Sequence, residues 1–174
     1  MVSNGLVPGD PKVTEFAWVS GNLAAPGAAP ALRVQGLPLV KPPYGSIVAI
    51  DMNKGEILWK IANAETPDNV RNHPALKGLN IPRTGRQSNT IGLLVTKSLI
   101  IAGEPGTFMM TDGRMGAMLR GYDKASGKEA GAVYMPAGQT GTPMTYMLGG
   151  KQYIVIAIAG ANYPAELVAF RLPD

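Results

Sequence analysis

An eleven-residue pattern occurs twice in this chain and limits what it can fold into. The first copy is Ala49-Ile50-Asp51-Met52-Asn53-Lys54-Gly55-Glu56-Ile57-Leu58-Trp59, and a weaker one runs from Gly121-Tyr122-Asp123 through Gly127 to Gly131. Both read small-x-Asp-x-x-x-Gly, with Asp and Gly displaced by the same 72 positions (51 to 123, 55 to 127). In each, an alternating stretch meets a tight turn whose glycine tolerates positive φ, and a second β-rich stretch follows, which predicts a β-hairpin. Hairpins recurring at tens of residues are the mark of repeat architectures, in which a unit buries its apolar face only against its neighbours.

The rest of the chain fits many short strands. Residues 44–61 predict the first hairpin, and 90–136 predict a whole four-stranded sheet. In that sheet Leu93 to Thr96 and Leu99 to Ala102 flank a Lys97-Ser98 turn, a Gly-rich excursion spans Gly103 to Gly116, and strands follow over Met118 to Asp123 and Glu129 to Met135. A third set, Thr142 to Leu148, Tyr153 to Ile158 and Glu166 to Leu172, repeats the order but lacks a fourth strand. Residues 1–40, with Pro8, Pro11, Pro26, Pro30 and Pro38, read as an irregular segment carrying one short strand over Glu15 to Val19. Residues 62–89 form a long polar connection with a helical turn near Ala75 to Lys77, a length that in compact domains covers or serves something.

Composition excludes several classes. Hydrophobic residues make up 45% and charged ones 16%, enough for a packed core and against wholesale disorder. With no cysteine there is no disulfide or thiolate metal site. The net charge of +4 comes from scattered Lys and Arg without a clustered basic stripe, so nucleic acid is not an expected partner. The opening residues lack the basic and apolar regions of a signal peptide, and no apolar run reaches the ~20 residues that span a bilayer.

The full first pattern, ending in Trp59, resembles the tryptophan-docking motif of the quinoprotein dehydrogenases, eight-bladed β-propellers that use pyrroloquinoline quinone (PQQ). Pro42-Pro43-Tyr44-Gly45-Ser46 and Gly141-Thr142-Pro143-Met144-Thr145-Tyr146 followed by Gly150-Lys151-Gln152-Tyr153 carry the resemblance further, toward the end of the membrane-bound glucose dehydrogenase branch. It covers residues 41–174 and implies an all-β partial propeller of two to three blades from the C-terminal end of the ring. Ala49, Asp51, Gly55, Trp59, Gly121, Asp123 and Gly127 would form the docking motifs, with Trp59 largely buried against the sheet containing Leu93 to Ala102; Gly131 stands where a second Trp would be.

The resemblance implies PQQ and Ca²⁺ as cofactors of the complete protein, a sugar or alcohol as substrate, and a periplasmic site of action. The family's catalytic base and metal ligands lie upstream of the matched stretch, so no catalytic or metal-binding residue is assigned, and neither cofactor is expected to bind this segment tightly. A segment inactive on its own is therefore expected. Arg83 and Arg86 are the residues that could meet an anionic cofactor carboxylate, since they precede an inner strand. Partners would be upstream blades or a second copy, with the Glu15 to Val19 segment as another candidate to cover the edge along Leu167 to Phe170. The alternative is a non-catalytic propeller scaffold that binds another envelope protein.

Other residues have simpler readings. Asp51 and Asp123 are expected to cap turn amides, His73 to sit in a surface loop, and Asp112-Gly113-Arg114 to form a turn. Asn89, Glu104 and Asp112 could bring oxygens to Ca²⁺, but their spacing matches no known loop.

Overall fold

Runs rich in Val, Ile, Leu and Tyr, broken every five to ten residues by Gly, Pro or Asp, can satisfy their backbone only by pairing with one another, and the chain is built that way. A computed structural model describes residues 5–8, 12, 16–19, 33–88, 91–110, 112–160 and 162–171. Contacts divide it into two units, Met1–Leu39 and Val40–Asp174.

In the first unit β1 (Gly5–Pro8) pairs antiparallel with β2 (Phe16–Val19). A second pair, β3 (Arg33–Val34) and β4 (Leu37–Pro38), is closed by a two-residue turn with positive φ at Gln35 and Gly36. The described part of a stretch expected to be irregular thus carries two strand pairs. Its prolines stand at strand ends, Pro8 and Pro38, where they break no ladder. Glu15 and the stretch Ala24 to Pro30 lie outside the described residues.

The second unit begins with the hairpin of β5 (Ser46–Asp51) and β6 (Glu56–Ala62). A connection follows, holding the short helix α1 (Asp68–Arg71) and a 3₁₀ turn at Pro74–Leu76. Next come β7 (Leu94–Val95), β8 (Leu99–Gly103), β9 (Phe108–Met109), β10 (Met115–Asp123) and β11 (Glu129–Met135). They form a sheet in the order β7-β8-β10-β11, with β9 taking over beside β10 where β8 leaves off. The last sheet holds β12 (Gly138–Gln139), β13 (Met144–Leu148), β14 (Lys151–Gly160) and β15 (Tyr163–Arg171). There β14 is flanked by β12 and β13 on one edge and β15 on the other. These antiparallel sheets are blades of a partial β-propeller.

Strand alternation makes the middle blade two-faced. Ile100, Ala102 and Tyr122 pack with Ile47, Trp59 and Ile61 of the first hairpin. Ile101, Ala117, Leu119 and Met135 instead meet Ile154, Ile156, Ile158, Val168 and Phe170 of the last blade. Neighbours one residue apart, Ile100 and Ile101, therefore serve different interfaces.

Gln139 joins the middle and last blades at a point where no side chain but an amide would serve. It is 1% exposed; its Oε1 accepts from Gly103 N at 2.5 Å, and its Nε2 donates to Gly92 O at 2.8 Å and to Gly141 O. Gln139→Leu keeps the bulk and strands one buried backbone group, Gly103 N, and two half-buried carbonyls, so a loss of about 2 kcal/mol is expected. Urea denaturation should show a lower midpoint with an unchanged slope; an unshifted midpoint would mean that the amide is dispensable.

Candidate functional site

The connection after the first hairpin is held close to that hairpin by backbone bonds. Asn63 N donates to Gly45 O at 3.0 Å, Tyr44 N to Thr84 O at 2.7 Å, and Arg86 N to Asn63 O at 2.9 Å. Chain segments 44–45, 63 and 84–86 meet so tightly that a Cβ on Gly45 would collide with the carbonyl of Arg86, and one on Gly85, at φ +69°, with the carbonyls of Gly45 and Asn63. Glycine at both places is a requirement of the crossing. Within the connection, His73 Nδ1 accepts from Ala75 N at 3.2 Å and opens the 3₁₀ turn.

That crossing lays four arginines and four carboxylates around one face of the middle blade. Arg120, 5% exposed at the centre of β10, donates to Glu104 (Nε to Oε1, 2.9 Å), Glu65 (Nη2 to Oε1, 2.7 Å) and both oxygens of Glu129 (3.0 Å). Arg83 joins Glu129 at 2.7 Å and Glu65 at 3.2 Å; Arg71 lies 3.7 Å from Glu65 and 3.9 Å from Asp68. Glu104 has no exposed surface. Burial raises its pKa, opposed by Arg120 and by the hydrogen bond from Met118 N. For Glu129 burial also acts upward, but Arg83 and Arg120 prevail and hold it below the ordinary glutamate value. Counting Arg86, which faces Asp68, four arginines match these four carboxylates, and Arg83 is bonded to Glu65 and Glu129.

Arg86 is different. Its guanidinium lies 4.2 Å over the Phe108 ring with Asp68 3.9 Å from Nη2, while Nε and Nη2 are buried without a hydrogen-bond partner. Burial lowers its pKa, with Asp68 acting against that. Asn63 Oδ1 and Thr84 Oγ1 are buried and unpartnered as well. Arg86 and Asn63 line one cavity of about 300 Å³ together with Tyr44, Ser46 and Gln87.

The two sequence patterns have the same local geometry. Ala49 pairs with Trp59 and Gly121 with Gly131, and in both hairpins a bulge follows directly. Asp51 Oδ1 accepts from the amides of Asn53 and Lys54, and Asp123 Oδ1 from that of Ser126; Gly55 and Gly127 both sit at φ +71°. The copies touch each other. Trp59 is only half-buried, not largely buried as expected, because its indole lies at the turn of the second copy: Nε1 donates to Lys124 O at 3.2 Å, and the ring is so close to Gly127 that a Cβ there would come within 2.9 Å of Cδ2 and Cε3.

The model of the PQQ-type glucose/ethanol/alcohol dehydrogenase β-propeller domain matches residues 11–154. The chain belongs to this family. Among its relatives, a probable quinate dehydrogenase (quinone) of Xanthomonas campestris pv. juglandis is 31% identical over 82% of this chain and 18% of its own length. Quinoprotein glucose dehydrogenase A of Acinetobacter calcoaceticus is 28% identical over 97% of this chain and 22% of its own. The quinoprotein glucose dehydrogenase of Escherichia coli K12 is 30% identical over 83% and 18%. The chain thus spans about a fifth of the length of the curated relatives it matches.

Membership in the PQQ family implies the quinone, a planar tricarboxylate, for the full-length proteins. Arg86 Nε and Nη2 and Asn63 Oδ1 are closed off from the surface and present no open edge to such a molecule, Arg83 is bonded to Glu65 and Glu129, and the Trp59 ring lies on Gly127. Ca²⁺ does not fit: among the described residues no group of three or more His, Asp or Glu could hold a metal. Glu104 is tied to Arg120, Asp112 binds Arg114 in a turn with Gly113 at φ +82°, and Asn89 lies outside the described residues. The lattice and Asn63 escaped sequence reasoning; the one available signal was a lone Arg120 at an inward position of an apolar strand.

Two outcomes are expected. Trp59→Ala should cost about 2 kcal/mol, less than a fully buried tryptophan, and Gly127→Ala a comparable amount through its φ and the ring above it; unchanged thermal unfolding in both would dissolve the contact. Glu129, depressed in the folded state, contributes stability that is complete above the ordinary value of 4.5 and is lost as pH falls through its lower native pKa. The gap in melting temperature between the parent and Glu129→Gln should therefore be wide at pH 7 and close progressively below pH 4.5; a gap independent of pH would contradict this.

Proposed function

We propose that this chain supplies the C-terminal blades of a PQQ-dependent dehydrogenase that oxidises a sugar or alcohol in the periplasm, completed by blades upstream. The match of the family model over residues 11–154 carries the reading. Relatives named as glucose, quinate and glycerol dehydrogenases support a polyhydroxy substrate. Exposed apolar side chains at both ends of the blade stack support further blades as partners: Val48, Ile50, Ile57 and Leu58 on the first hairpin, and Met144, Leu148 and Leu167 on the last blade. A second copy of the chain could cover the same faces. Nothing in the relatives favours the scaffold alternative.

Bound in a complete ring, the quinone would supply the two-electron acceptor for oxidation of the alcohol carbon, and the Ca²⁺ and the base of that reaction are assigned to the upstream blades. The residues of this chain act by shape and charge. The Arg120 lattice fixes the connection after the first hairpin against the middle blade.

With PQQ and Ca²⁺ added, the chain alone is expected to show no dye-linked oxidation of glucose, ethanol, quinate or glycerol, and the chain joined to its upstream coding sequence is expected to turn over at least one. Turnover by the chain alone would reveal an unassigned base. Inactivity of the extended protein, with no PQQ bound, would end the dehydrogenase reading.

A further inference from the structure

The connection between the first hairpin and the middle blade encloses a second cavity, of about 550 Å³, within the size range of small-molecule sites. Two cationic side chains in its wall, Arg71 and Lys77, are open to solvent and have hydrogen-bonding capacity to spare.

Arg71 closes helix α1, and its side chain is 36% exposed. Among the described residues its guanidinium makes one hydrogen bond, from Nη2 to Thr66 O at 3.2 Å. Glu65 at 3.7 Å and Asp68 at 3.9 Å lie beyond hydrogen-bonding reach. A guanidinium offers a whole fork of N–H donors, and most of this one is unused.

Lys77 reaches the same cavity from a tight turn. It has φ −60° and ψ 129°, Gly78 follows at φ +84°, and Leu79 N closes the turn on Leu76 O at 3.1 Å. These are the angles of a type II turn, whose third position favours glycine. The exposed Lys77 ammonium has no hydrogen bond or ion pair among the described residues. Because the turn already fixes the backbone, a ligand at this corner has little chain entropy to overcome.

The carboxylate in the wall is committed elsewhere. Glu65 Oε1 accepts from Arg120 at 2.7 Å and pairs with Arg83 Nε at 3.2 Å. The four arginines of the lattice match its four carboxylates, and Lys77 adds a positive charge that none of them offsets. The unmet need of the cavity is therefore for a single negative charge. Leu76, Leu79 and Ile81 supply an apolar part of the lining, and Leu79 is 63% exposed. A bare ion would leave these side chains in water, whereas a carbon skeleton would cover them.

We propose that this cavity binds a small organic acid, its carboxylate between Lys77 and Arg71 and its carbon skeleton on Leu76, Leu79 and Ile81. One unmatched charge selects a monoanion and the apolar wall selects a hydrocarbon, which together disfavour inorganic phosphate. Once bound, the acid links the end of α1 to the turn at Leu76–Leu79 and stiffens the connection. The site rests on these side chains and not on the dehydrogenase reading.

The test is a titration of the isotope-labelled 174-residue chain, followed by NMR at the backbone amides of Arg71 and Gly78 at constant ionic strength. The probes are hexanoate, inorganic phosphate, hexanol and hexylammonium. Hexanoate should saturate with a dissociation constant on the order of 1 mM, phosphate and hexanol should bind about tenfold more weakly, and hexylammonium should leave these amides unmoved. Lys77→Met keeps the stem, loses the charge and should weaken hexanoate about tenfold. Lys97→Met, which removes an exposed lysine between β7 and β8, should not. Arg71→Gln should act as Lys77→Met does; should it fail to fold, Lys77→Met at its exposed turn decides alone.

Hexanol or phosphate binding as tightly as hexanoate overturns the proposal. So does an unchanged affinity in Lys77→Met, or hexanoate shifts confined to the exposed apolar faces around Val48 and Leu167. Dye-linked turnover of the extended protein reads the dehydrogenase function independently, so either can fail without the other.

Discussion

A guanidinium at the centre of a β-sheet cannot be left to itself, and the neighbourhood of Arg120 follows from that constraint. Desolvating an arginine costs several kcal/mol unless carboxylates with good geometry surround it. Here they arrive from three directions: Glu104 at the end of β8, Glu129 at the start of β11 and Glu65 from the connection after the first hairpin. Two are secured by the blade's own strands. The third ties down a long polar segment with little regular structure, and through it positions Arg83, Thr84, Gly85 and Arg86. Replacing the ensemble with apolar side chains could well match its stability, since buried ion pairs gain little net free energy. What it secures is the path of the chain across the blade.

Around this fixed point the blades stack by alternation. The middle blade gives Ile100 and Tyr122 to one neighbour and Ile101 and Leu119 to the other, and Gln139 and Trp59 hold the two junctions with directed hydrogen bonds. Apolar packing alone would allow sliding along the strands. An amide bonded to three glycine backbones, and an indole seated where only glycine fits, set the register of blade on blade.

Hairpins were legible because alternation, Asp and Gly act within a few residues: the outer strand Glu129–Met135 falls where its pattern places it. The strand at Met115–Asp123 begins three residues earlier than its apolar run, because Met115 and Gly116 pair with β9 inside the Gly-rich excursion. Two residues, Phe108 and Met109, carry no period to read. Helix α1, a single turn after Pro67, was equally silent. The lattice could not be read at all, since Arg120 and Glu65 lie 55 positions apart and their meeting depends on a crossing enforced by Gly45 and Gly85. For Asn63 the information lies in a bond not made, which has no trace in sequence.

The electrical balance of the lattice separates the charges that hold the chain together from those that face outward. Four arginines cancel four carboxylates there, so the formal +4 of the whole chain rests on residues elsewhere. Counter-ions at physiological strength screen exposed charges from one another beyond about 8 Å but reach buried pairs far less. Salt can therefore tune how this surface meets an approaching partner while leaving the buried Arg120–Glu104 pair almost untouched. Colloidal behaviour and architecture are governed by different sets of charges.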